Sequence, residues 1–417
     1  MKKNLFHIII LTAMLNFAGC GVFSSVADFT KQGYTNTVAY FNTYYNAQRL
    51  YNEAVSEMER TIAAAQEKPS NIPYSKIPLT PAARQKFSSS IEKNSKLLSY
   101  YPNSTWVDDA LLMIGKSYIY LENNVKAERK FLELFAKYPN SDLIPEAKLF
   151  YGKALLNQKK EKEGVANLQA LYEESQQNGD KTIAADAALS LGQYYAENKE
   201  YETAIPLLQA SLKYSSDDAI NAQTEMRIAD CYAAMQNYKE AETAYRNVER
   251  YTPIYFQYFR SRIEMVKMVR AQKQFSDVLD LLNNLLSDAK NTEYAATIHF
   301  EIANTFLAMD SLNTAIEKFQ YVDTAFVRTD EAARSYFVLA NLFEKKFLLY
   351  DSAKALYDKA KAEFPQSDIS AEAARKSDIF GKYASLWKDI VKNDSLYTRN
   401  DSAAITIDTL QLAKQFV

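Results

Sequence analysis

The sequence is poor in glycine and in cysteine. Nine glycines in 417 residues amount to about 2%, against a usual value near 7%. A sheet protein or an enzyme with a glycine-rich phosphate loop would normally need more of them. The two cysteines are Cys20 and Cys231. The composition therefore predicts an all-α chain that is held together by packing rather than by disulfides.

Histidine is equally scarce, since the chain has two, of which one is His299. His299 and Cys231 are the one histidine and the one cysteine that follow residue 20. They cannot supply a common zinc site or a histidine-based nucleophilic triad, and both residues are predicted to pack inside helix pairs. The paired acids of VDDA, residues 107–110, point about 100° apart on a helix. Asp109 is therefore predicted to face a groove and Asp108 to face solvent. We predict a protein with no enzymatic activity, no cofactor and no bound metal.

The chain also has no excess of basic residues. It carries 49 Lys and Arg against 51 Asp and Glu, a net charge of −2. Residues 1–19 hold two lysines and no acid, so removal of this segment lowers the net charge from −2 to −4. Binding to nucleic acid requires a basic face. The charge balance therefore gives no case for a nucleic-acid partner, and we also expect no small-molecule substrate.

One stretch near the N terminus indicates where the protein is located. Two lysines precede the apolar run LFHIIILTAMLNFA, and Ala18 and Gly19 stand directly before Cys20. The run is shorter than the roughly 20 residues of a membrane span and has the design of a secretory signal. Small residues followed by cysteine resemble the bacterial lipobox, which implies a signal peptide over residues 1–19 and lipid attachment at Cys20. An ordinary signal peptide with an accidental cysteine is the alternative.

A repeat of about 37 residues organises most of the chain. A small residue recurs at intervals of 37, 40, 37, 37, 37 and 37, at Gly115, Gly152, Gly192, Ala229, Val266, Ala303 and Ala340. The segment IGKSYIYLENNVKAERKFLELFAKYP places small, aromatic and helix-ending residues as the tetratricopeptide repeat does, and it resembles that repeat. The resemblance implies an all-α fold, a right-handed α-solenoid of tetratricopeptide-type helix pairs.

Other segments flank this array. Residues 20–37 are predicted to be a tether, which as a flexible coil would reach about 25 Å. Residues 38–104 are predicted to form an N-terminal helical region with a proline-rich loop, and the array to cover 105–370. A capping helix over 371–392 and a polar tail over 393–417 complete the predicted organisation.

Two stretches resemble families of envelope lipoproteins. The runs AERKFLELFAKYPNSDLIPEAKLFYGKAL and YPNSTWVDDALLMIGKSYIY resemble BamD-type outer-membrane lipoproteins. FNTYYNAQRLYNEA, followed by STWVDDALLMIGKSY, is similar to the opening of repeat lipoproteins of Bacteroidota that are associated with gliding and type IX secretion. The resemblance implies a scaffold that is lipid-anchored in the cell outer membrane, on its periplasmic side.

Three functions are open at this stage. The resemblance favours a lipid-anchored scaffold that binds other proteins in an outer-membrane assembly machine. An accessory lipoprotein of the type IX secretion or gliding machinery is the alternative among binding proteins. A peptidoglycan-acting enzyme, or its activator, is the alternative of another class. In the favoured interpretation the partners are envelope proteins on the concave face and the membrane at the N-terminal lipid.

The repeat register predicts where a partner would bind, because the first helix of each tetratricopeptide pair lines the concave wall. The residue after each small position is polar: Lys116, Lys153, Gln193, Asp230, Lys267, Asn304 and Asn341. Seven residues earlier, on the same helix face, lie Asp109, Glu146, Asp186, Gln223, Arg260, Thr297 and Arg334. We interpret these two ladders as a binding groove, in which the second ladder is acidic up to Asp186 and basic or neutral from Arg260 onward. A wall that is polar merely for solubility is the alternative.

Other register positions predict the core and a second surface. The residue three before each small one is apolar and is predicted to be buried: Leu112, Leu149, Leu189, Met226, Ile263, Phe300 and Phe337. The run YTPIYFQYFRSR, which includes Tyr255 and Tyr258, and the tyrosine-rich opening helix are rich in aromatic rings. Whether these rings fill the core or anchor a partner is left open by the sequence.

Overall fold

A computed structural model describes residues 32–66, 79–251 and 254–397 of the chain. Within these ranges every regular element is a helix. The predicted class, an all-α solenoid of tetratricopeptide-type helix pairs, is confirmed. The predicted signal peptide, the lipid-attachment residue Cys20 and most of the predicted proline-rich loop and polar tail lie outside the described residues.

The helices follow one another with short connections. In chain order they are α1 (Tyr45–Gln66), α2 (Pro81–Tyr100), α3 (Val107–Tyr120), α4 (Asn124–Lys137), α5 (Ile144–Asn157), α6 (Glu161–Asn178), α7 (Lys181–Glu197), α8 (Tyr201–Tyr214), α9 (Asp218–Ala234), α10 (Tyr238–Asn247), α11 (Tyr255–Ala271), α12 (Phe275–Ser287), α13 (Ala295–Ala308), α14 (Leu312–Ala325), α15 (Asp330–Lys345), α16 (Tyr350–Glu363) and α17 (Ser370–Tyr397). A π-helical turn, Tyr40–Tyr44, joins helical residues 32–39 to α1. None of the described helices is long and apolar enough to cross a bilayer.

Polar side chains fix where several helices begin. The side chains of Thr80, Asn123, Asp180, Asp217 and Thr329 each accept a hydrogen bond from the backbone N–H three residues further on. Such caps satisfy a donor that the first helical turn leaves without a partner. The caps therefore set the start of a helix independently of the register of its apolar residues.

The turn inside each repeat has the same backbone signature. Seven residues after the small position, or eight in the last repeat, a non-glycine residue has a positive φ: Glu122, Lys159, Lys199, Gln236, Lys273, Asp310 and Leu348. A residue in this left-handed region ends the first helix and redirects the chain into the second. The structure thus shows the same turn at all seven predicted repeats, with one inserted residue before the last second helix.

Close approach of the two helices explains the small residues. A Cβ added to Gly115 would lie 2.5 Å from Cε1 of Phe131, and one added to Gly192 would lie 2.7 Å from Cγ of Leu208. The residue sixteen positions after the small one, seventeen in the last repeat, is buried throughout: Phe131, Leu168, Leu208, Tyr245, Leu282, Phe319 and Tyr357. The core of each pair is therefore built from one small and one large side chain facing each other.

The chain divides into two compact units, Met1–Ser261 and Arg262–Val417, with the boundary inside α11. In the first unit the first helices of successive pairs contact one another, α3 with α5, α5 with α7 and α7 with α9. In the second unit α13 contacts α15 in the same way, and α17 packs on α16. Each unit is thus a run of stacked helix pairs.

Two predicted boundaries differ from the structure. The predicted tether, residues 20–37, is already helical from residue 32, because the Gln32 amide donates to the carbonyl of Asn103 (2.6 Å) and the Asn36 amide oxygen accepts from the N–H of Thr105 (3.0 Å). The predicted capping helix, residues 371–392, continues to Tyr397, because no glycine or proline interrupts the sequence there.

Candidate functional site

The polar ladder of the first unit lies on helices that contact one another. We call the inner wall the side chains that α3, α5, α7 and α9 carry at the two ladder positions: Asp109, Lys116, Glu146, Lys153, Asp186, Gln193, Gln223 and Asp230. All of them are half-buried except Asp230, which is exposed. Because α3, α5, α7 and α9 contact one another in succession, these side chains follow one another along the first unit.

Lys116 ties the first two helices of the wall together. Its ammonium lies 2.6 Å from the carboxylate of Glu146 on α5. The same ammonium stands over the rings of Tyr51 and Phe150, 5.3 and 4.9 Å from their centroids. An ion pair flanked by aromatic faces is well stabilised. Lys116 and Glu146 therefore satisfy each other within the molecule.

The two adjacent acids at the start of α3 both bond to neighbouring elements. The Asp109 carboxylate accepts a hydrogen bond from the hydroxyl of Tyr44 (3.2 Å), and burial, with the nearby charge of Asp108, raises the pKa of Asp109. Asp108 was predicted to face solvent, and this is wrong. Its carboxylate accepts a 2.7 Å hydrogen bond from Ser141, in the turn before α5, which holds it half-buried.

In the described chain, Lys153 and Asp186 are the two charged residues of the wall that form no such ion pair or hydrogen bond. Burial lowers the pKa of Lys153 and raises that of Asp186, and in each case the charge of the other residue opposes the effect. The Lys153 ammonium stands 5.1 Å from the centroid of the Phe150 ring. Within the part of the chain that the structure describes, neither charged group makes a hydrogen bond or a close ion pair. The wall thus holds a partly desolvated cation and anion that influence each other's pKa without forming a close ion pair.

The signs of the wall charges alternate along the first unit. The acids of one ladder, Asp109, Glu146 and Asp186, are interleaved with the lysines of the other, Lys116 and Lys153. The predicted acidic section is therefore largely compensated, because each lysine lies within the field of an acid on the following first helix. A partner would meet a pattern of alternating charge rather than a uniformly acidic surface.

In the second unit most ladder residues are engaged in internal contacts. Arg334 forms ion pairs of 2.6 Å with both Asp330 and Asp368, and Lys267 forms one of 2.8 Å with Glu264. Thr297 donates to the carboxylate of Glu331, and Asn341 accepts from Tyr357 and Lys376. Asn304 and, in the first unit, Arg260 are half-buried. The predicted basic end is thus largely neutralised by neighbouring acids.

The aromatic runs serve mainly as packing. In the run YTPIYFQYFRSR, Phe259 is buried, Tyr255 and Tyr258 are half-buried, and the rings of these two tyrosines lie 5.7 Å apart. In the opening region Tyr44 stacks on Trp106, with centroids 4.8 Å apart. Phe41, Tyr45 and Tyr34 remain exposed on the helical segments that precede and begin α1.

The residues considered for catalysis are packed within helix pairs. His299 packs against the rings of Tyr321 and Phe326, and burial lowers its pKa. Cys231 is buried, and burial raises the pKa of its thiol to about 11. Among the described residues no group of three or more His, Cys, Asp or Glu side chains could hold a metal ion.

Aromatic rings that lie under the lysines of the inner wall were not predicted from the sequence. Phe150 lies under both Lys116 and Lys153, and Tyr51 lies under Lys116. The sequence did contain a signal for Phe150. The apolar ladder position before Gly152 is already occupied by Leu149, so Phe150, one residue later, is an aromatic residue outside the predicted core position. For Tyr51, which lies outside the repeat register, the sequence offers no comparable signal.

Comparison with protein-family models gives one match. The model of the tetratricopeptide repeat matches residues 109–141, which span α3, α4 and the turn that joins them. These residues form a tetratricopeptide repeat. The match covers the first repeat of the register, and the same turn, small residue and large buried residue recur in the six repeats that follow.

Comparison with solved structures finds several proteins that are similar to this chain over part of its length. The apo form of RapI has a TM-score of 0.51 at 11% identity, and the match covers 81% of this chain and 98% of RapI. A tetratricopeptide repeat protein from Parabacteroides merdae has a TM-score of 0.43 at 15% identity, covering 65% of this chain and 98% of its own. The C-terminal part of a repeat protein from Cytophaga hutchinsonii has a TM-score of 0.40 at 13% identity, covering 69% and 94%. No curated protein matches the sequence.

The repeats and the wall give a coarse functional class. Tetratricopeptide arrays present a continuous face made by side chains from several helices, which suits them to bind other proteins. The chain is accordingly a protein-interaction scaffold of the tetratricopeptide type.

Proposed function

We propose that the inner wall of the first unit binds an extended or helical segment of another protein, and that Lys153 and Asp186 are its centre. The observation that supports the proposal is their partial desolvation without a hydrogen-bond partner. Both side chains are half-buried, and a charge that is partly removed from water without a paired group carries a desolvation cost. A partner that brings an acid to Lys153 and a donor to Asp186 would remove that cost on binding.

The surroundings of this pair suit recognition rather than catalysis. Phe150 offers an apolar ring beside Lys153, and Gln193 on α7 adds an adaptable polar group on the same wall. The Lys116–Glu146 ion pair next to it holds α3 and α5 in place. A preformed site of this kind favours binding, because little order has to be gained when the partner arrives. Alternating charge would also select the direction in which the segment lies.

We further propose that the chain is a lipid-anchored scaffold in an outer-membrane assembly machine. The sequence around Cys20 and the resemblance of residues 101–155 to BamD-type lipoproteins support this setting. The similarity of FNTYYNAQRLYNEA to the opening of gliding-associated repeat lipoproteins favours a second candidate, an accessory of type IX secretion. In both cases the inner wall would hold a neighbouring envelope protein near the membrane.

The wall can be tested by a charge reversal with a matched control. Asp186→Lys inverts a wall charge, while Glu173→Lys makes the same change on the exposed side of α6. After in-cell cross-linking and purification of the tagged chain, partners that bind the wall should be strongly depleted with Asp186→Lys and retained with Glu173→Lys. Equal recovery of every partner from the two variants, with helicity unchanged, would exclude the wall as the binding surface.

The anchor is tested separately. Cys20→Ser should abolish acylation, so that the chain is recovered in the soluble fraction or keeps its signal segment. The intact mass of the wild-type chain should show an acyl modification on Cys20 as the first residue. A wild-type chain without acyl mass, and an unchanged membrane fraction for Cys20→Ser, would contradict the proposed anchoring while leaving the wall proposal intact.

A further inference from the structure

The helix that follows the array, α17, carries an exposed apolar stripe. Five large side chains on it are between 45 and 64% exposed: Ile379, Tyr383, Leu386, Trp387 and Ile390. The opposite side of α17 is covered by its own unit, since Phe380 stacks on Tyr350 and Lys376 pairs with Glu344. A helix that closes a repeat array normally has a polar outer face. The outer face of α17 is apolar instead, which is typical of an interaction surface.

The spacing of the stripe is that of a two-helix coiled coil. Ile379, Tyr383, Leu386 and Ile390 follow one another at intervals of four, three and four residues. These are the alternating a and d positions of a heptad, which keep one seam of a helix against a partner helix. The spacing therefore favours another helix as the occupant rather than an extended strand or a lipid surface.

We propose that α17 pairs in an antiparallel arrangement with α17 of a second copy of this chain. In antiparallel pairing Tyr383 lies opposite Leu386 of the second copy, and Ile379 lies opposite Ile390 of the second copy. The flanking position then places Lys382 across from Asp389 of the second copy, and the two-fold symmetry repeats this contact. Both residues are exposed in the described chain. The stripe is thus complementary to itself in shape and in charge.

A cavity beside the stripe fits the same arrangement. It has a volume of about 400 Å³ and is lined by Glu344, Lys345, Tyr350, Phe380 and Tyr383. In the antiparallel pairing Trp387 of the second copy lies next to Phe380, at this cavity. An aromatic ring that enters a pocket lined by aromatic and cationic groups is a frequent anchor of an interface. The pairing therefore accounts for the exposed tryptophan as well as for the aliphatic residues.

Sedimentation equilibrium of the full chain carrying Cys20→Ser tests the proposal without an acyl group. A concentration-dependent dimer is expected, and Leu386→Asp with Ile390→Asp should make the chain monomeric at the same concentrations. Lys388→Asp, on the flank away from the seam, is the matched control and should leave the dimer intact. A chain that is monomeric at every concentration, or a dimer that survives the double substitution with unchanged helicity, would overturn the proposal.

Charge exchange tests the antiparallel register. Lys382→Asp alone and Asp389→Lys alone should each weaken the dimer by roughly tenfold. The double exchange should restore it, because the reciprocal contacts are then re-formed with opposite signs. A double variant as weak as the single ones would overturn the register.

If truncation after Tyr397 converts a monomer into a dimer, residues 398–417 of the same chain cover the stripe, and the second copy is excluded.

Discussion

At Gly115 the absence of a side chain determines how closely two helices of a pair approach. Any Cβ at this position would lie within 2.5 Å of the Phe131 ring, so the helix retains glycine although alanine is the better helix former. The same relation, between a small residue and a large buried one sixteen positions later, or seventeen in the last repeat, recurs in all seven repeats. Substitutions at these positions are the most direct test of the register.

Gly115→Ala should lower the stability of the chain. The gain in helix propensity, about 1 kcal/mol, is outweighed by overpacking against Phe131, which typically costs about 1–3 kcal/mol. Gly381→Ala is the matched control, because a Cβ there would lie 3.4 Å from the flexible Lys354 side chain. Chemical denaturation should show a loss for the first variant and no loss for the second. Equal stabilities would contradict the close packing inferred at Gly115.

Asp323 should make stability depend on pH. It is buried near the C-terminal end of α14, and burial raises its pKa to about 6, with Lys359 opposing the shift. Because the unfolded value is about 3.9, the folded state binds the proton more tightly. The unfavourable effect is absent below about pH 4, grows as the pH rises through about 6, and is complete above that pH.

Asp323→Asn should therefore stabilise the chain at pH 8, by up to about 2–3 kcal/mol, and should have little effect near pH 4. Asp280→Asn, which removes a carboxylate from an exposed position of α12, serves as the matched control. Thermal melts of both variants across this pH range provide the measurement. A constant difference between wild type and Asp323→Asn would refute the proposed titration.

In each repeat a residue in the left-handed backbone region lies in the turn between the first and the second helix. Six of the seven residues at this position are polar, and Leu348 is the exception, with φ 56° and 61% of its surface exposed. It lies where the last repeat carries one additional residue before its second helix. A branched apolar side chain in this region is strained, at about 1–2 kcal/mol, and this side chain gains little from burial.

Leu348→Gly should accordingly raise the free energy of unfolding, by up to about 1 kcal/mol, because relief of strain exceeds the added chain entropy. Leu132→Gly, at an exposed position inside α4, should have the opposite effect and cost about 1 kcal/mol. Urea denaturation distinguishes the two signs. Destabilisation by both substitutions would show that the turn at Leu348 is not strained.

The sequence allowed the repeat elements to be predicted, but not all of their contacts. The interval of the small residues located the helix pairs, because close approach leaves few choices of residue. The start of the first helical segment was missed, because it depends on bonds from Gln32 and Asn36 to a loop about 70 residues away. The ion pairs that charged ladder residues form with residues distant in the sequence were not predicted either. Nothing in the local sequence of Arg334 shows that Asp368 pairs with it.

At the scale of the whole molecule, seven tetratricopeptide-type pairs are distributed over two compact units within the described chain. In such arrays each pair interacts mainly with its neighbours, so that binding surfaces are assembled from several helices while stability accumulates along the array. The inner wall of the first unit combines residues from α3, α5, α7 and α9 in this way. The second unit contributes α17, whose apolar stripe is separate from that wall in sequence.

Binding of another protein by the inner wall of the first unit can be tested by cross-linking in cells. A photo-activated cross-linking residue at position 193 tests it most directly, since Gln193 lies on the wall while Lys153 and Asp186 remain intact. The same residue at position 162, an exposed position of α6, is the control. We predict a discrete cross-linked partner from position 193 in cells, its loss when Asp186→Lys is added, and none from position 162. Cross-links from position 162 only, or cross-links at 193 that persist with Asp186→Lys, would show that the wall is not the binding surface.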